Sequence, residues 1–89
     1  PLIRLMNKFE LKKASNQDLK NIKSYAIGVG PEYTDLNIKN TRYLKNLGFL
    51  VHPYTVDDEN QMRNLNQYGV DGVFTNFADR YKKVSETQQ

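Results

Sequence analysis

The 89-residue sequence has no cysteine, no apolar run long enough to cross a bilayer and no extended basic tract. Without cysteine, the chain forms neither a disulfide framework nor a thiolate metal site. A membrane-spanning helix needs about 20 consecutive apolar residues, so no transmembrane segment is predicted. The net charge of +3 arises from thirteen basic and ten acidic residues spread along the chain. This pattern favours a mildly basic surface over a nucleic-acid interface.

What the sequence does contain is a repeated pattern, in which a polar amphipathic stretch leads into a short apolar strand and then a polar turn. The pattern occurs at residues 23–30, 47–55 and 68–76, and residues 1–6 form a further apolar strand. Such alternation is typical of βα units, in which crossover helices connect parallel strands. The sequence therefore predicts four βα units with no internal domain boundary.

Turn and cap residues set the predicted boundaries of these units. The predicted strands cover residues 1–6, 26–29, 49–55 and 71–75. Ser15 or Asn16 is predicted to cap the helix over residues 16–24, and Thr34 or Asp35 the next long helix. That second helix is predicted to bury Leu36, Tyr43, Leu44 and Leu47, which recur at helical spacing.

The remaining helix boundaries also have recognisable sequence signals. Asp58 with Gln61 matches a capping box, and Gly48 and Gly69 stand where left-handed C-terminal caps end the second and third long helices. Asn76 is predicted to cap the last helix. The inward face of that helix is predicted to carry Phe77, Tyr81 and Val84.

A four-stranded parallel sheet is difficult to complete within so short a chain. Parallel strands need helices on both faces of the sheet or closure into a barrel, and a small open sheet leaves apolar edges unpaired. We therefore expect this chain to be a fragment of a larger protein.

Two side chains near the predicted strands are candidates for substrate binding, because barrels hold their active sites at the carboxyl ends of strands. Tyr54 closes the third strand, where a tyrosine lines a pocket, donates to a bound oxygen or plugs the barrel mouth. Arg4 is the one charge within the first strand. Burying a guanidinium is costly without an anion, so Arg4 faces either a phosphate or solvent at an edge.

Other polar or glycine residues have simpler interpretations. A lone histidine on an apolar strand, such as His52, is more often a core residue than a ligand or base. Asp57 and Asp58 fit helix capping better than metal binding. Gly28 and Gly30 permit close approach of a ligand, but the third glycine of the dinucleotide fingerprint is missing.

Two segments resemble the last two strand motifs of the glycerophosphodiester phosphodiesterases, V-x-x-[WY]-T-V and G-V-D-G-[IV]-x-T-D-x-P-D. They are LVHPYTV at residues 50–56 and GVDGVFTNFAD at residues 69–79. Residues 1–5 and 25–31 are similar to the fifth and sixth strands of the same family, especially its bacterial periplasmic or secreted branch. The four motifs follow the family's order and cover nearly the whole chain.

The resemblance implies an α/β fold, with residues 1–89 forming the C-terminal portion, about four βα units, of a TIM (β/α)8 barrel. Such enzymes hydrolyse glycerophosphodiesters to glycerol 3-phosphate and an alcohol with a divalent metal, often Ca²⁺ or Mg²⁺. The family's catalytic histidines and metal ligands belong to first-half motifs that this sequence lacks. The resemblance therefore implies no catalytic or metal-binding residue here, the remainder of the barrel as partner, and an inactive isolated fragment. It favours an extracellular or periplasmic location over the cytoplasm.

Carried over by motif, Tyr54 matches the aromatic residue that lines the substrate pocket beside the glycerol moiety. Arg4 stands where glutamine is common, which implies either an added phosphate contact or altered specificity. Asn76 replaces the usual aspartate. We expect Arg4, the Tyr54 hydroxyl and the amides of residues 28–30 to lie at one rim of the barrel.

Two alternatives compete with this interpretation. The first is another phosphate-handling (β/α)8 enzyme, since such barrels share phosphate sites near their last strands. The second is an independent small α/β binding module.

Overall fold

A computed structural model describes residues 2–87, so Pro1 of the first predicted strand and the last two residues of the given sequence lie outside it. The described chain contains three short parallel strands, in the spatial order β1–β2–β3: β1 (Ile3–Leu5), β2 (Gly28–Gly30) and β3 (Leu50–Val51). Its helices are α1 (Glu10–Lys13), α2 (Asn16–Lys23), α3 (Ile38–Asn46), α4 (Glu59–Tyr68) and α5 (Ala78–Thr87). The predicted alternation of parallel strands and helices is therefore confirmed.

The helices cover one face of the sheet. Arg4, Val29 and Val51 are paired across the three strands and share this face, because residues in register on parallel strands point the same way. Val29 and Val51 are fully buried. The apolar side chains buried with them come from α2, α3, α4 and α5: Leu19, Ile22, Leu44, Met62, Leu65 and Val84.

The predicted ends of α2, α3 and α4 are largely confirmed. The Ser15 side chain accepts from the Asp18 amide in a capping box, and Asp58 accepts from the Gln61 amide. Gly48 and Gly69 adopt φ angles of 94° and 98°, the left-handed conformation that favours glycine at a helix end.

The start of α3 differs from the prediction, because Asn37 caps this helix instead of Thr34 or Asp35. Tyr33–Asp35 forms a 3₁₀ turn, so the helix begins later along the chain. The later start leaves Leu36 ahead of the helix, although it is still buried. The buried face of α3 consists of Thr41 and Leu44, while Tyr43 and Leu47 are exposed. The predicted apolar stripe is therefore only partly correct.

The predicted second and third strands are longer than the regular ladder that forms. The amides of His52 and Tyr54 continue the pairing past β3, donating to the carbonyls of Val29 (2.9 Å) and Pro31 (3.0 Å). A regular parallel ladder would place a donor from residue 31 between these bonds. Pro31 has no N–H, so the ladder is interrupted at that position.

The predicted fourth strand, residues 71–75, is extended beside β3 without forming a regular strand. The Asp71 amide donates to the Val51 carbonyl (2.9 Å), and the Phe74 amide donates to the Pro53 carbonyl (2.8 Å). Three residue steps on this segment therefore match two on its neighbour, which is the geometry of a β-bulge. Pro53 also lacks the N–H that a regular ladder would require between those bonds.

Asp71 fixes this irregular segment to the rest of the sheet. Its carboxylate accepts the Val51 amide at 2.8 Å and both of its oxygens contact Lys45 Nζ, at 2.6 and 2.7 Å. Asp71 therefore pairs with both backbone groups of Val51 and connects the last extended segment to α3.

Candidate functional site

The sheet face opposite the helices is apolar, and no element among residues 2–87 covers it. Ile3, Leu5 and Leu50 point to this face, because they alternate with the buried row of Val29 and Val51. Leu5 is 55% exposed and Leu50 is 36% exposed. A strand face of this kind normally packs against another layer or a barrel interior.

Neighbouring side chains occupy the space above the two glycines of β2. A Cβ atom at Gly28 would lie 2.6 Å from Ile3 Cδ1 and 2.6 Å from the Leu50 carbonyl oxygen. At Gly30 it would lie 2.8 Å from Leu5 Cδ2. These glycines therefore let the side chains of β1 and β3 pack inward, which accounts for them without a bound cofactor.

A small cleft of about 240 Å³ opens at the carboxyl ends of the strands, lined by Leu5, Tyr54, Thr55 and Phe74. His52 lies deeper on the same face. Its ring centroid is 6.0 Å from that of Phe74, with the planes tilted by 45°. A Cβ atom at Gly72 would lie 2.8 Å from His52 Cε1, so the imidazole packs directly over this glycine.

Tyr54 connects the ends of two strands. Its hydroxyl donates to the Met6 carbonyl oxygen at 2.5 Å, just beyond β1. Its own carbonyl accepts the Tyr33 amide at 2.8 Å. The hydroxyl is therefore engaged within the protein, and the ring is the part of Tyr54 that lines the cleft.

Arg4 lies on the opposite face of the sheet from Tyr54, so the structure does not bring these two predicted substrate-binding residues together. Its guanidinium contacts both carboxylate oxygens of Glu10, at 2.7 and 3.1 Å. The Arg4 side chain also donates to the Leu5 carbonyl. Side chains alternate between the two faces of a strand, which explains why the expected single rim does not form. The geometry supports an ion pair for Arg4, and its contact with substrate stays a prediction.

The ion pair between Arg4 and Glu10 makes stability depend weakly on pH. Hydrogen bonds from Arg4, and secondarily from the Asn7 amide, hold the pKa of Glu10 below its usual range. Because the pKa of Glu10 is lower in the folded than in the unfolded protein, its ionised carboxylate stabilises the fold at pH values above the unfolded pKa. That contribution is lost as the pH falls through the native pKa. Because both side chains are about one-third exposed, we expect Glu10→Gln to lower the free energy of unfolding by less than about 1 kcal/mol at pH 7.

Urea unfolding of the full-length protein that contains this chain, as wild type and as Glu10→Gln, at pH 7 and at pH 2.5 measures this contribution. The difference between the two proteins should shrink at low pH and in high salt. A difference of equal size at both pH values would contradict the ion-pair interpretation.

A second polar cluster lies where the chain leaves residues 71–75. One Asp57 carboxylate oxygen accepts hydrogen bonds from the Thr75 hydroxyl (3.1 Å) and the Asn76 amide (2.9 Å). The other accepts a hydrogen bond from Asn76 Nδ2 (3.1 Å). Hydrogen bonding, chiefly from the Asn76 amide, lowers the pKa of Asp57. The helix α5 begins at Ala78, two residues after Asn76, so Asn76 does not cap this helix as predicted. It binds Asp57 instead.

The described residues do not assemble a metal centre. Among residues 2–87, no three His, Asp or Glu side chains come close enough together to hold an ion. Asp57 is bonded to Thr75 and Asn76, and Asp58 caps α4. The donor set of this part of the chain therefore does not fit a divalent metal. Within the same range, no helix is both long and apolar enough to cross a membrane.

Consecutive βα units, with helices on one face of a parallel sheet and apolar side chains on the other, define a section of a (β/α)8 barrel whose interior is the uncovered face. Residues 1–80 match the Glycerophosphoryl diester phosphodiesterase family. The chain belongs to this family, which confirms the resemblance drawn from its strand motifs.

Similar proteins come from bacteria and plants. A glycerophosphodiester phosphodiesterase of Bacillus subtilis is 41% identical over 86 residues, covering 97% of this chain and 29% of the relative. One from Arabidopsis thaliana is 33% identical over a 104-residue alignment, covering 90% of this chain and 28% of the relative. The chain thus spans less than one-third of the length of these relatives.

Solved structures confirm the barrel fold. A Silicibacter pomeroyi structure assigned to the glycerophosphoryl diester phosphodiesterases aligns with a TM-score of 0.81 at 20% identity, covering 99% of this chain and 31% of that one. An Oleispira antarctica phosphodiesterase in complex with sn-glycerol-3-phosphate aligns with a TM-score of 0.75 at 14% identity, covering 92% and 32%. These likenesses establish the fold predicted from the sequence, a portion of a (β/α)8 barrel.

Proposed function

We propose that this chain forms the last part of a barrel that hydrolyses glycerophosphodiesters to glycerol 3-phosphate and an alcohol. The observation that carries the proposal is the family match over residues 1–80. The sn-glycerol-3-phosphate bound to the Oleispira phosphodiesterase, which shares the fold, supports this product. In this proposal, residues 1–89 are one fragment of a single barrel domain.

The partner of this chain is then the remainder of the barrel, which would cover the exposed apolar sheet face. The catalytic histidines and the ligands of a divalent cation, Ca²⁺ or Mg²⁺, would come from that remainder. Such a cation supplies charge that stabilises the phosphoryl oxygens in the transition state.

This chain would contribute the apolar wall of the substrate pocket. The Tyr54 ring, together with Leu5 and Phe74, lines the strand-end cleft and offers carbon surface, with no formal charge. We propose that this wall lies beside the glycerol part of the substrate and excludes water there. A substrate contact by Arg4, whose guanidinium pairs with Glu10, remains a separate prediction that this wall does not require.

The proposed location is outside the cytoplasm, in the periplasm or the medium. It rests on the similarity of residues 1–5 and 25–31 to the secreted branch of the family. Cell fractionation with an antibody against this chain tests it, and recovery solely with the cytoplasmic fraction would contradict it.

Hydrolysis of glycerophosphocholine by the full-length protein containing this chain tests the proposed activity. We expect release of glycerol 3-phosphate that stops with EDTA and returns with Ca²⁺ or Mg²⁺. The isolated 89-residue chain is the matched control and should release none. Hydrolysis of a different phosphate ester in place of glycerophosphodiesters would favour another phosphate-handling barrel, and a cooperative, monomeric fold of the isolated chain would favour a binding module.

A further inference from the structure

We propose that Asp57 is a positioning residue, whose carboxylate fixes Thr75 and Asn76 and thereby holds Phe74 in the wall of the cleft. We call this set of three residues, Asp57, Thr75 and Asn76, the Asp57 clasp. Its consequence for catalysis rests on the proposed function, whereas its effect on the loop does not.

The clasp is built from several directed contacts. The two Asp57 oxygens accept three hydrogen bonds from Thr75 and Asn76, at 2.9 to 3.1 Å. Thr75 Oγ1 in turn accepts the Phe77 amide at 2.9 Å, and Arg80 Nη1 approaches the Asp57 carbonyl oxygen at 3.4 Å. A single side chain thus binds both the backbone and the side chains of the loop that precedes α5.

The clasp begins where the backbone pairing ends. The Val56 amide donates to the Phe74 carbonyl at 2.9 Å, and the Phe74 amide donates to the Pro53 carbonyl at 2.8 Å. Beyond Phe74, the Asp57 side chain takes the role that a regular strand ladder would have. Phe74 is therefore held by backbone bonds on both of its peptide groups and by the clasp immediately after it, which limits how far its ring can move in the cleft.

The partners of the clasp match in donor and acceptor character. Asn76 Nδ2 donates to the Asp57 carboxylate, whereas an aspartate at position 76 would place two carboxylates in contact. Like charges at that distance repel each other. Exchanging the two residues, as Asp57→Asn with Asn76→Asp, would preserve every bond. The new amide oxygen at position 57 could accept from Thr75 and from the backbone, and the new NH₂ group there could donate to the carboxylate introduced at position 76.

The experiment compares four variants of the full-length protein with the wild type: Asp57→Ala, Asn76→Asp, the exchanged double variant, and Asp58→Asn as control. Asp58 is the neighbouring carboxylate, and asparagine caps a helix as well as aspartate does. The readouts are hydrogen exchange of the Asn76 amide, melting temperature, and kcat and KM for glycerophosphocholine.

We expect Asp57→Ala and Asn76→Asp to accelerate exchange of the backbone amide of residue 76 by about tenfold. We expect kcat/KM to fall by a similar factor, about tenfold. The exchanged variant should recover both values to within about threefold of wild type. Asp58→Asn should change neither.

Two results would overturn the proposal. One is an exchanged variant that is as impaired as Asn76→Asp, because compensation is the specific consequence of the paired geometry. The other is a lower melting temperature in Asp57→Ala with unchanged kcat and KM, because the clasp would then stabilise the fold without affecting the reaction. A wild type that does not hydrolyse the substrate would overturn the proposed function instead. Amide exchange in the four variants then tests whether the clasp holds the loop.

Discussion

Gly28→Ala is expected to lower the free energy of unfolding by about 3 kcal/mol, at the upper end of the usual cost of overpacking. The added Cβ would lie 2.6 Å from the Leu50 carbonyl oxygen and 2.9 Å from Leu50 Cβ. The Ile3 side chain, whose Cδ1 is also 2.6 Å away, can change rotamer. The Leu50 carbonyl has less freedom, because Leu50 is paired with Gly28 in the parallel ladder, so β2 and β3 would have to separate.

Gly69→Ala is the matched control for this prediction. Gly69 has a φ angle of 98°, and a Cβ atom built there has no neighbour within 4 Å. Alanine at this position therefore introduces backbone strain of about 1–2 kcal/mol without a clash. Chemical denaturation of the full-length protein carrying either substitution measures the difference in the free energy of unfolding. A Gly28→Ala variant no less stable than Gly69→Ala would contradict the close packing of β2 against β3.

Helix ends could be predicted from the sequence because their interactions are local. Ser15 and Asp58 each accept an amide three residues ahead, and both elements of that contact are visible in the sequence. Gly48 and Gly69 follow the last residues of their helices and adopt the left-handed conformation that glycine favours. The α3 cap was missed because residues 33–35, which contain two plausible caps, form a separate 3₁₀ turn.

Interactions between distant segments could not be predicted in the same way. Asp57 and Asp58 are adjacent and both resemble caps, and only the approach of the loop at Thr75 and Asn76 distinguishes them. The bulge opposite Pro53 likewise depends on which strand lies beside it. The sequence shows that a proline lacks the backbone N–H and so weakens the ladder. It does not show at which residue the neighbouring segment forms a bulge.

The placement of Arg4 depends on strand register. An alternating strand assigns Ile3 and Leu5 to one face and Arg4 to the other. In a strand with apolar residues on both faces, alternation alone does not identify the helix-covered side. Pairing with the buried Val29 does so, and it places Arg4 opposite the strand-end cleft. The family motifs, by contrast, depend only on the order of residues, so fold and family were accessible from the sequence while the face of this side chain was not.

Comparison of Tyr54→Phe with Tyr54→Ala should separate the hydroxyl of Tyr54 from its ring. Because the hydroxyl donates to the Met6 carbonyl, we expect Tyr54→Phe to cost about 1 kcal/mol of stability and to change kcat/KM less than about threefold. Tyr54→Ala also removes the aromatic wall of the cleft shared with Leu5 and Phe74. We expect it to lower kcat/KM for a glycerophosphodiester by about tenfold or more, corresponding to at least about 1.4 kcal/mol of transition-state stabilisation.

Steady-state kinetics of the full-length protein, at a temperature where circular dichroism shows each variant folded, provide the measurement. Tyr33→Phe is the matched control, since Tyr33 follows the neighbouring strand but does not line the strand-end cleft. If Tyr54→Phe lost as much activity as Tyr54→Ala, the hydroxyl itself would contribute to catalysis, either through the substrate or through the Met6 contact. If neither variant changed kcat or KM, Tyr54 would be excluded from the substrate pocket, because removing a ring that contacts substrate in the transition state must raise the barrier to hydrolysis.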